Sequence, residues 1–512
     1  MKKLLLMLVA CFVAVNVSAQ DDEGWSKSFA PVADKADLDG LHTAVAADGS
    51  VFVSTTYNQA FQFAGKAVTD PDGLLSSCIV KYDKDGNELW SVSLVGKCFV
   101  HAMAADADGT LYVAGQSQDE KVVCTGTDSK HYEIVNPTSE IYGFAFSAFI
   151  LRIDPNGAIA ATTTISSEAN AELLTSMMYF PLQGDIYVRP LALRIAGDKL
   201  YVSANYTGDI LALGWYGSIL NVFDFMYADN KSSGIFSMDK LTLGALQNEV
   251  NVQNTESMSY NQYYPEAIDF VVYNNRVHMA FIGFGNLSVR NNTAKKDFEF
   301  ATTSDESGNK EHALVLVPTA ELDKSVKFSA AMHAKDGIPY KLAGSALAGD
   351  NCILGGTFYG NFPLDNTVTK EHNASFVASI KMSDCSVNWA KANEVESVAK
   401  CMIVTGEEIH ASTADALYTF RTSDGDLKQT QNTGYADAAQ CNDQYVSTVR
   451  ADENNVVVFC PKLKTSGINE TEALNSAAAR YYNLNGVELS APQKGLNIVK
   501  TTNGQTQKRV VR

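Results

Sequence analysis

With 512 residues and 46% apolar composition the chain can bury a large core, and length alone allows about two to four domains. Only 19% of residues are charged, against 22 Tyr and 24 Phe, which favours β structure and excludes a coiled coil. A net charge of −18 without any visible Lys/Arg cluster excludes nucleic acid, and it disfavours anionic polymers unless a local patch or a divalent ion intervenes.

The first residues read as an export signal: Lys2 and Lys3 form the positive start, Leu4 to Val15 the apolar stretch, and Val17-Ser18-Ala19 a small-residue cleavage site, so that residues 1–19 are removed. Leu8-Val9-Ala10-Cys11 offers a lipobox as the competing reading, although the apolar run continues past Cys11. No other run reaches the roughly 18 to 20 apolar residues of a membrane span, so no transmembrane segment is expected. Cys78, Cys98, Cys124, Cys352, Cys385, Cys401, Cys441 and Cys460 remain after cleavage. Disulfides and buried free thiols are both compatible with them, and none has zinc-ligand spacing.

The chain then opens on an alternating segment, Trp25 to Ala30, and passes into a recurring unit of short apolar strands separated by Asp/Gly turns. The second copy shows it best: His101 to Ala105, the Asp106-Ala107-Asp108-Gly109 turn, Leu111 to Gly115, Ala148 to Ile153 and Ile159 to Ile165. Seven copies can be traced between His42 and Cys460, and the seventh has three strands only. The surplus strand at residues 25–32 matches that deficit. The expectation is an all-β, seven-bladed β-propeller over residues 20–464, closed by the N-terminal strand, then a linker and a small C-terminal β tail over 465–512.

Four second strands end on an aromatic and a turn followed by an apolar-x-apolar corner: Tyr57-Asn58 before Phe61-Gln62-Phe63, Tyr206-Thr207-Gly208 before Ile210-Leu211-Ala212, Phe284-Gly285-Asn286 before Leu287-Ser288-Val289, and Phe358-Tyr359-Gly360-Asn361 before Phe362. With Gly355-Gly356-Thr357-Phe358, this resembles bacterial seven-bladed propeller repeats across roughly residues 25 to 463. The resemblance implies the fold and leaves function open. The tail, Arg480-Tyr481-Tyr482-Asn483-Leu484-Asn485-Gly486, Lys494-Gly495-Leu496-Asn497-Ile498-Val499 and Lys508-Arg509-Val510-Val511-Arg512, resembles a shortened form of the C-terminal sorting module of type IX secretion. That resemblance implies a protein of Bacteroidota, exported to the periplasm, the outer-membrane surface or the exterior.

Links between second and third strands are long in copies one to five, and links of that length tend to be functional. The link over 209–230 carries Trp215 and Tyr216, candidates either for recognition or for core. Residues 169–180 carry Leu173, Leu174, Met177 and Met178 at helical spacing. His42, His101, Arg189, Glu266, Asp269, Lys341, Lys400 and Asp437 fall near the starts of inner strands, which line the channel of a propeller, so they are candidate ligand-binding residues. The bland reading is that the wet channel simply tolerates them.

The Asp-x-Asp-Gly stretches at Asp83 and Asp106 lack the later bidentate Glu of a calcium loop and serve as turns, so no metal is expected. No nucleophile elbow, metalloprotease helix or phosphate loop occurs, and no cofactor is expected. Three functions remain, of which two are active: a non-catalytic exported propeller that binds a protein or glycan through its inserted loops, or a glycan hydrolase or lyase using channel residues. A purely structural envelope protein is a third.

Overall fold

The computed structural model describes residues 24–31, 40–168, 188–210, 231–254, 266–301, 312–318, 327–332, 341–392, 401–461, 480–482, 488–489, 495–500 and 506–511, except for stretches of a few residues within several of these ranges. It is an all-β propeller. Six blades are built from strands that follow one another in the chain. Blade one is His42–Val45, Val51–Tyr57, Ser76–Tyr82 and Glu88–Val95, and blade two is Cys98–Ala105, Leu111–Ser117, Ser147–Ile153 and Ile159–Ile165. Blade three is Val188–Ala196, Lys199–Thr207, Lys231–Asp239 and Gln247–Asn254; blade four is Glu266–Tyr273, Arg276–Phe284, His312–Pro318 and Lys327–Met332. Blade five is Lys341–Ala348, Asn351–Asn361, Thr369–Lys381 and Val387–Ala392, and blade six is Cys401–Thr405, Glu408–Ser412, Ala416–Arg421 and Leu427–Asn432. A further sheet joins Ala438–Cys441, Val446–Asp452 and Asn455–Cys460 to Trp25–Pro31, which pairs antiparallel with Asn455–Cys460 in the register Trp25 opposite Cys460.

The sequence pattern has a direct cause in this layout. Second and third strands lie between two neighbouring sheets, so both of their faces are covered; Val51–Tyr57, Ser76–Tyr82 and Leu111–Ser117 are buried throughout. They therefore read as continuous apolar runs. Outer strands such as Glu88–Val95 are covered on one side and alternate. The core is not inside any one blade. Phe52, Trp90 and Leu94 of blade one pack with Val113, Phe149 and Leu151 of blade two, and Tyr201 and Ile235 of blade three pack with Phe270 and Phe281 of blade four.

Tryptophan fixes three of these junctions in the same way. Trp90, on the outer strand of blade one, donates its indole N–H to the Pro155 carbonyl of blade two at 3.0 Å and lies over Gly157. A Cβ at Gly157 would meet Trp90 Cδ2 at 2.8 Å, and its φ of +88° already favours glycine. Trp389 of blade five repeats the arrangement on Thr422 O and Gly425 of blade six, and Trp25 repeats it on Lys84 O and Gly86 of blade one.

The inserted segments show a second rule. The hairpin Lys121–Thr125 and His131–Val135, which follows the second strand of blade two, turns back and pairs with Glu88–Val95, extending blade one. The hairpin Asn286–Asn291 and Lys296–Ala301 of blade four pairs likewise with Gln247–Asn254 of blade three. Asp209–Ile210 of blade three pairs with Ser167–Glu168, just beyond the outer strand of blade two. Phe61 and Phe63 of blade one set their rings against Phe29. The apolar-x-apolar corner is therefore a hook onto the preceding sheet: Phe63, Val122, Cys124, Leu287 and Val289 are all buried in it.

Residues Leu463–Arg512 form a separate compact unit, in which Glu488–Leu489, Arg480–Tyr482, Gly495–Lys500 and Thr506–Val511 make one four-stranded sheet in that order. The helical spacing of residues 169–180 and the aromatic link carrying Trp215 and Tyr216 lie outside the described residues. Cys78, Cys98, Cys124, Cys352, Cys441 and Cys460 are buried free thiols. Among the described residues no helix is long and apolar enough to cross a membrane.

Candidate functional site

Antiparallel order fixes which ends of the strands share a face. In every blade the first strand starts, the second ends and the fourth ends on one face, so the inserted segments and the links between blades all open there. The Asp/Gly turns occupy the opposite face. Their carboxylates are engaged locally: Asp83 Oδ1 accepts from the N–H groups of Asp85 and Asn87 at 2.9 and 2.8 Å, and Asp154 Oδ1 accepts from Asn156 and Ala158, both at 2.9 Å. These bonds give the turn carboxylates a local role in closing the hairpins.

The inner strands surround a cavity of about 740 Å³ on the axis of the ring, lined among others by His42, His101, Arg189, Arg194, Asp269 and Asp437. Five of the residues singled out from sequence are thus brought together. Glu266 and Lys341 stand at the starts of the inner strands of blades four and five. Lys400 lies outside the described residues.

Asp269 is 4% exposed and fully engaged. Arg194 Nη2 of blade three donates to both of its oxygens at 2.7 Å, Phe270 N–H donates to Oδ1 at 2.9 Å, and Ser345 N–H of blade five donates to Oδ2 at 2.6 Å. One carboxylate therefore ties three blades. Asp437 accepts from Ala451 N–H at 2.8 Å within its own sheet. Both are scaffold carboxylates.

His101 differs. A register shift between Val100 and Ala102 makes it the extra residue of a bulge, a device that re-aims a side chain. Its ring stacks on Phe99 at 6.5 Å, and its Nε2 is buried with no hydrogen-bond partner among the described residues. Burial, then the Arg189 guanidinium and His42 nearby, hold it well below the usual imidazole value, so it is neutral at pH 7. On the face of the inserted segments His101 and Arg189 also border a smaller pocket of about 280 Å³, with Leu75, Lys97, Phe99, Gln116 and Gln118.

No family model and no curated protein matches this chain. Solved structures similar to it are propellers: BamB from Moraxella catarrhalis is 11% identical with a TM-score of 0.36, covering 79% of this chain and 98% of that one. The Cps50 (Swd1) β-propeller domain of Myceliophteria thermophila is 8% identical with a TM-score of 0.34, covering 85% and 99%. A GH93 α-L-arabinofuranosidase of Fusarium graminearum, solved with arabinobiose, is 10% identical with a TM-score of 0.37, covering 86% and 98%.

Sequence reasoning missed Arg194, Lys97, Gln116 and Gln118. Arg189 and Arg194 are five residues apart, which in a regular strand puts them on opposite faces. A bulge between Pro190 and Ala192 inverts the alternation after it, and the burial pattern of Val188–Ala196 changes phase at that point. Nothing local in the sequence marks such a bulge. Lys97, Gln116 and Gln118 belong to a link and a strand end that only the fold brings together.

Proposed function

We propose that this chain is an exported, non-catalytic propeller that binds a protein or glycan partner at the cell envelope or outside it, on the face that carries the inserted segments. The observation that carries the reading is the mouth of the channel on that face: Lys97, His101 and Arg189 gather beside an open cavity, while the nearby channel carboxylates Asp269 and Asp437 are engaged by backbone and Arg194. Polar groups converging on a preformed cavity suit recognition. Carboxylates held as hydrogen-bond acceptors suit a scaffold better than an acid/base pair. Since much of the inserted sequence fastens neighbouring sheets, the recognition surface centres on the mouth rather than on the hairpins.

The same reading takes the ring as seven-bladed and closed by the N-terminal strand. Three contacts support it. Trp25–Pro31 supplies the fourth strand of the last sheet, Trp25 sits on blade one as Trp90 sits on blade two, and Ala438–Cys441 lies against His42–Val45, with Thr43 Oγ1 2.6 Å from Ser447 Oγ. Residues 1–19 as an export signal, residues 465–512 as a linker and shortened type IX sorting module, and a Bacteroidota origin complete the proposal.

The test is a glycan array and an affinity capture with the full mature chain. Lys97→Glu, at the mouth, is expected to abolish capture, and Leu241→Glu, on an exposed turn of the opposite face, to leave it intact. Capture unaffected by Lys97→Glu, or lost with Leu241→Glu alone, overturns the assignment of the face.

A further inference from the structure

We propose that the axial channel receives a single extended peptide segment with uncharged side chains, which pairs with the backbone edges of the inner strands. This rests on the reading that a partner docks on the face of the inserted segments, and it names what that partner sends into the channel.

The wall of the cavity is main chain. Residues 189–196 of blade three and 342–347 of blade five border it in unbroken succession. Successive side chains of a strand point to opposite faces, so such runs can border one cavity only through their backbone edge. Each first strand ends its sheet, which leaves that edge without a ladder partner on the axis. The turns show which groups it presents. Ala196 pairs with Lys199, Tyr273 with Arg276, Ala348 with Asn351 and Thr405 with Glu408 across two-residue turns, so these residues bond to the second strand and their neighbours in the first strand turn to the axis. Ile195, Val272, Leu347 and Val404 are those neighbours, followed two residues on by Leu193, Phe270 and Ser345. The latter three already have partners: Leu193 O accepts from Arg194 Nη1 at 3.1 Å, and Phe270 N–H and Ser345 N–H both donate to Asp269. One step nearer the turn face, Ile195, Val272, Leu347 and Val404 present their edge to the cavity.

The side chains at those four positions select against charge. Branched apolar residues recur at the same place in blades three to six; Leu347 is 37% exposed and the other three are half-buried. The charged groups of the wall are committed inside the protein: Arg194 to Asp269 at 2.7 Å, Asp437 to Ala451 N–H, and Arg189 and His42 to contacts of their own. Backbone donors and acceptors above a belt of apolar side chains match a neutral peptide strand, which carries the same groups in the same spacing.

Width selects an extended chain. Eight strand residues span about 26 Å, so a cavity of about 740 Å³ is about 6 Å across on average. An α-helix with its side chains needs about 10 to 12 Å. A strand lies only about 4.8 Å from its neighbour in a sheet, and fits.

The experiment titrates the full mature chain by calorimetry with the neutral hexapeptide acetyl-Ser-Val-Ser-Val-Ser-Val-amide, its fully N-methylated form, its counterpart with Glu for each Ser, and maltotetraose. The neutral peptide is expected to bind at least tenfold more tightly than each of the other three. Leu347→Glu, at an exposed position, is expected to weaken it at least tenfold, Leu347→Ile to change it less than threefold, and Leu241→Glu, on an outer turn, to leave it unchanged; melting curves check that each variant is folded. Equal binding of the N-methylated peptide removes strand pairing and overturns the proposal, as does tighter binding of maltotetraose or a folded Leu347→Glu that binds like the parent. Absence of peptide binding while capture stays sensitive to Lys97→Glu overturns the channel proposal and keeps the face; capture insensitive to Lys97→Glu overturns the face.

Discussion

Replacing Trp25 by Ala asks whether the N-terminal strand carries real stability in the ring. Its indole N–H donates to Lys84 O at 3.0 Å, its ring lies 5.3 Å from that of Tyr82, and Gly86 leaves room for it as Gly157 does for Trp90. A fully buried Trp costs about 3 to 5 kcal/mol on truncation to Ala. Trp25 is only half-buried, which reduces that to about 1.5 to 2.5 kcal/mol, and its exposed hydrogen bond adds about 0.5 kcal/mol. The expected loss is about 2 to 3 kcal/mol. For a ring of this size roughly 1 kcal/mol corresponds to about 1 °C, so calorimetry should show the melt lowered by about 2 to 3 °C. Trp25→Phe should recover most of it. Removing residues 20–31 is the stronger perturbation, because it bares the Asn455–Cys460 edge, where Val456 and Val458 are wholly buried in the intact chain. An open apolar edge invites pairing between chains, so light scattering should rise on warming well below the parent melt. A truncated chain that melts with the parent and stays monomeric would refute the closure.

Other expected outcomes follow from individual contacts. Ile134→Ala, in the blade-two hairpin where Ile134 is 1% exposed, should cost about 2 to 5 kcal/mol in urea unfolding, whereas a free recognition loop would tolerate it without loss. Asp269→Ala should cost about 2 to 4 kcal/mol, the exposure of Arg194 reducing the value for a wholly buried pair, and the Ser345 N–H is left buried beneath it. Burial, with Arg276 beside it, holds His278 down to about 4, so the unfolded chain takes up a proton near 6.5 that the native chain refuses. Stability therefore falls as pH drops from about 6.5 to about 4, by about 3 kcal/mol from this residue. The melting temperature of His278→Leu should depend less steeply on pH across that window, and an unchanged slope would show that His278 does not titrate this way.

How much of this was legible depended on the range of the interaction that decides it. The four-strand copies could be read because second and third strands are covered on both faces: Val51-Phe52-Val53 and Phe149-Ile150-Leu151 are continuous apolar runs for that reason alone. The turns could be read because Asp83 and Asp154 act on N–H groups two and four residues away. Such signals are local, and the sequence carries them undistorted. The seats of the tryptophans on Gly86, Gly157 and Gly425 needed the neighbouring blade in place.

The corners at Phe61-Gln62-Phe63 and Leu287-Ser288-Val289 announced buried side chains in the sequence, but not what buries them. Only the assembled sheets show that they hook backwards, onto Phe29 and onto Gln247–Asn254. The site was legible in half. The starts of inner strands gave His42, His101, Arg189, Asp269 and Asp437, because repeated strands must bring equivalent positions to one channel. The sequence could not distinguish the engaged scaffold carboxylate from the buried imidazole whose Nε2 has no partner among the described residues. That distinction rests on Arg194 reaching Asp269 across 75 residues and on bulges at Val100/Ala102 and Pro190/Ala192 that reset which side chains face the cavity. Periodicity belongs to the chain, whereas partners across blades and the phase of a strand after a bulge belong to the packed ring, which is why composition and spacing determined the architecture and the tertiary structure decided the site.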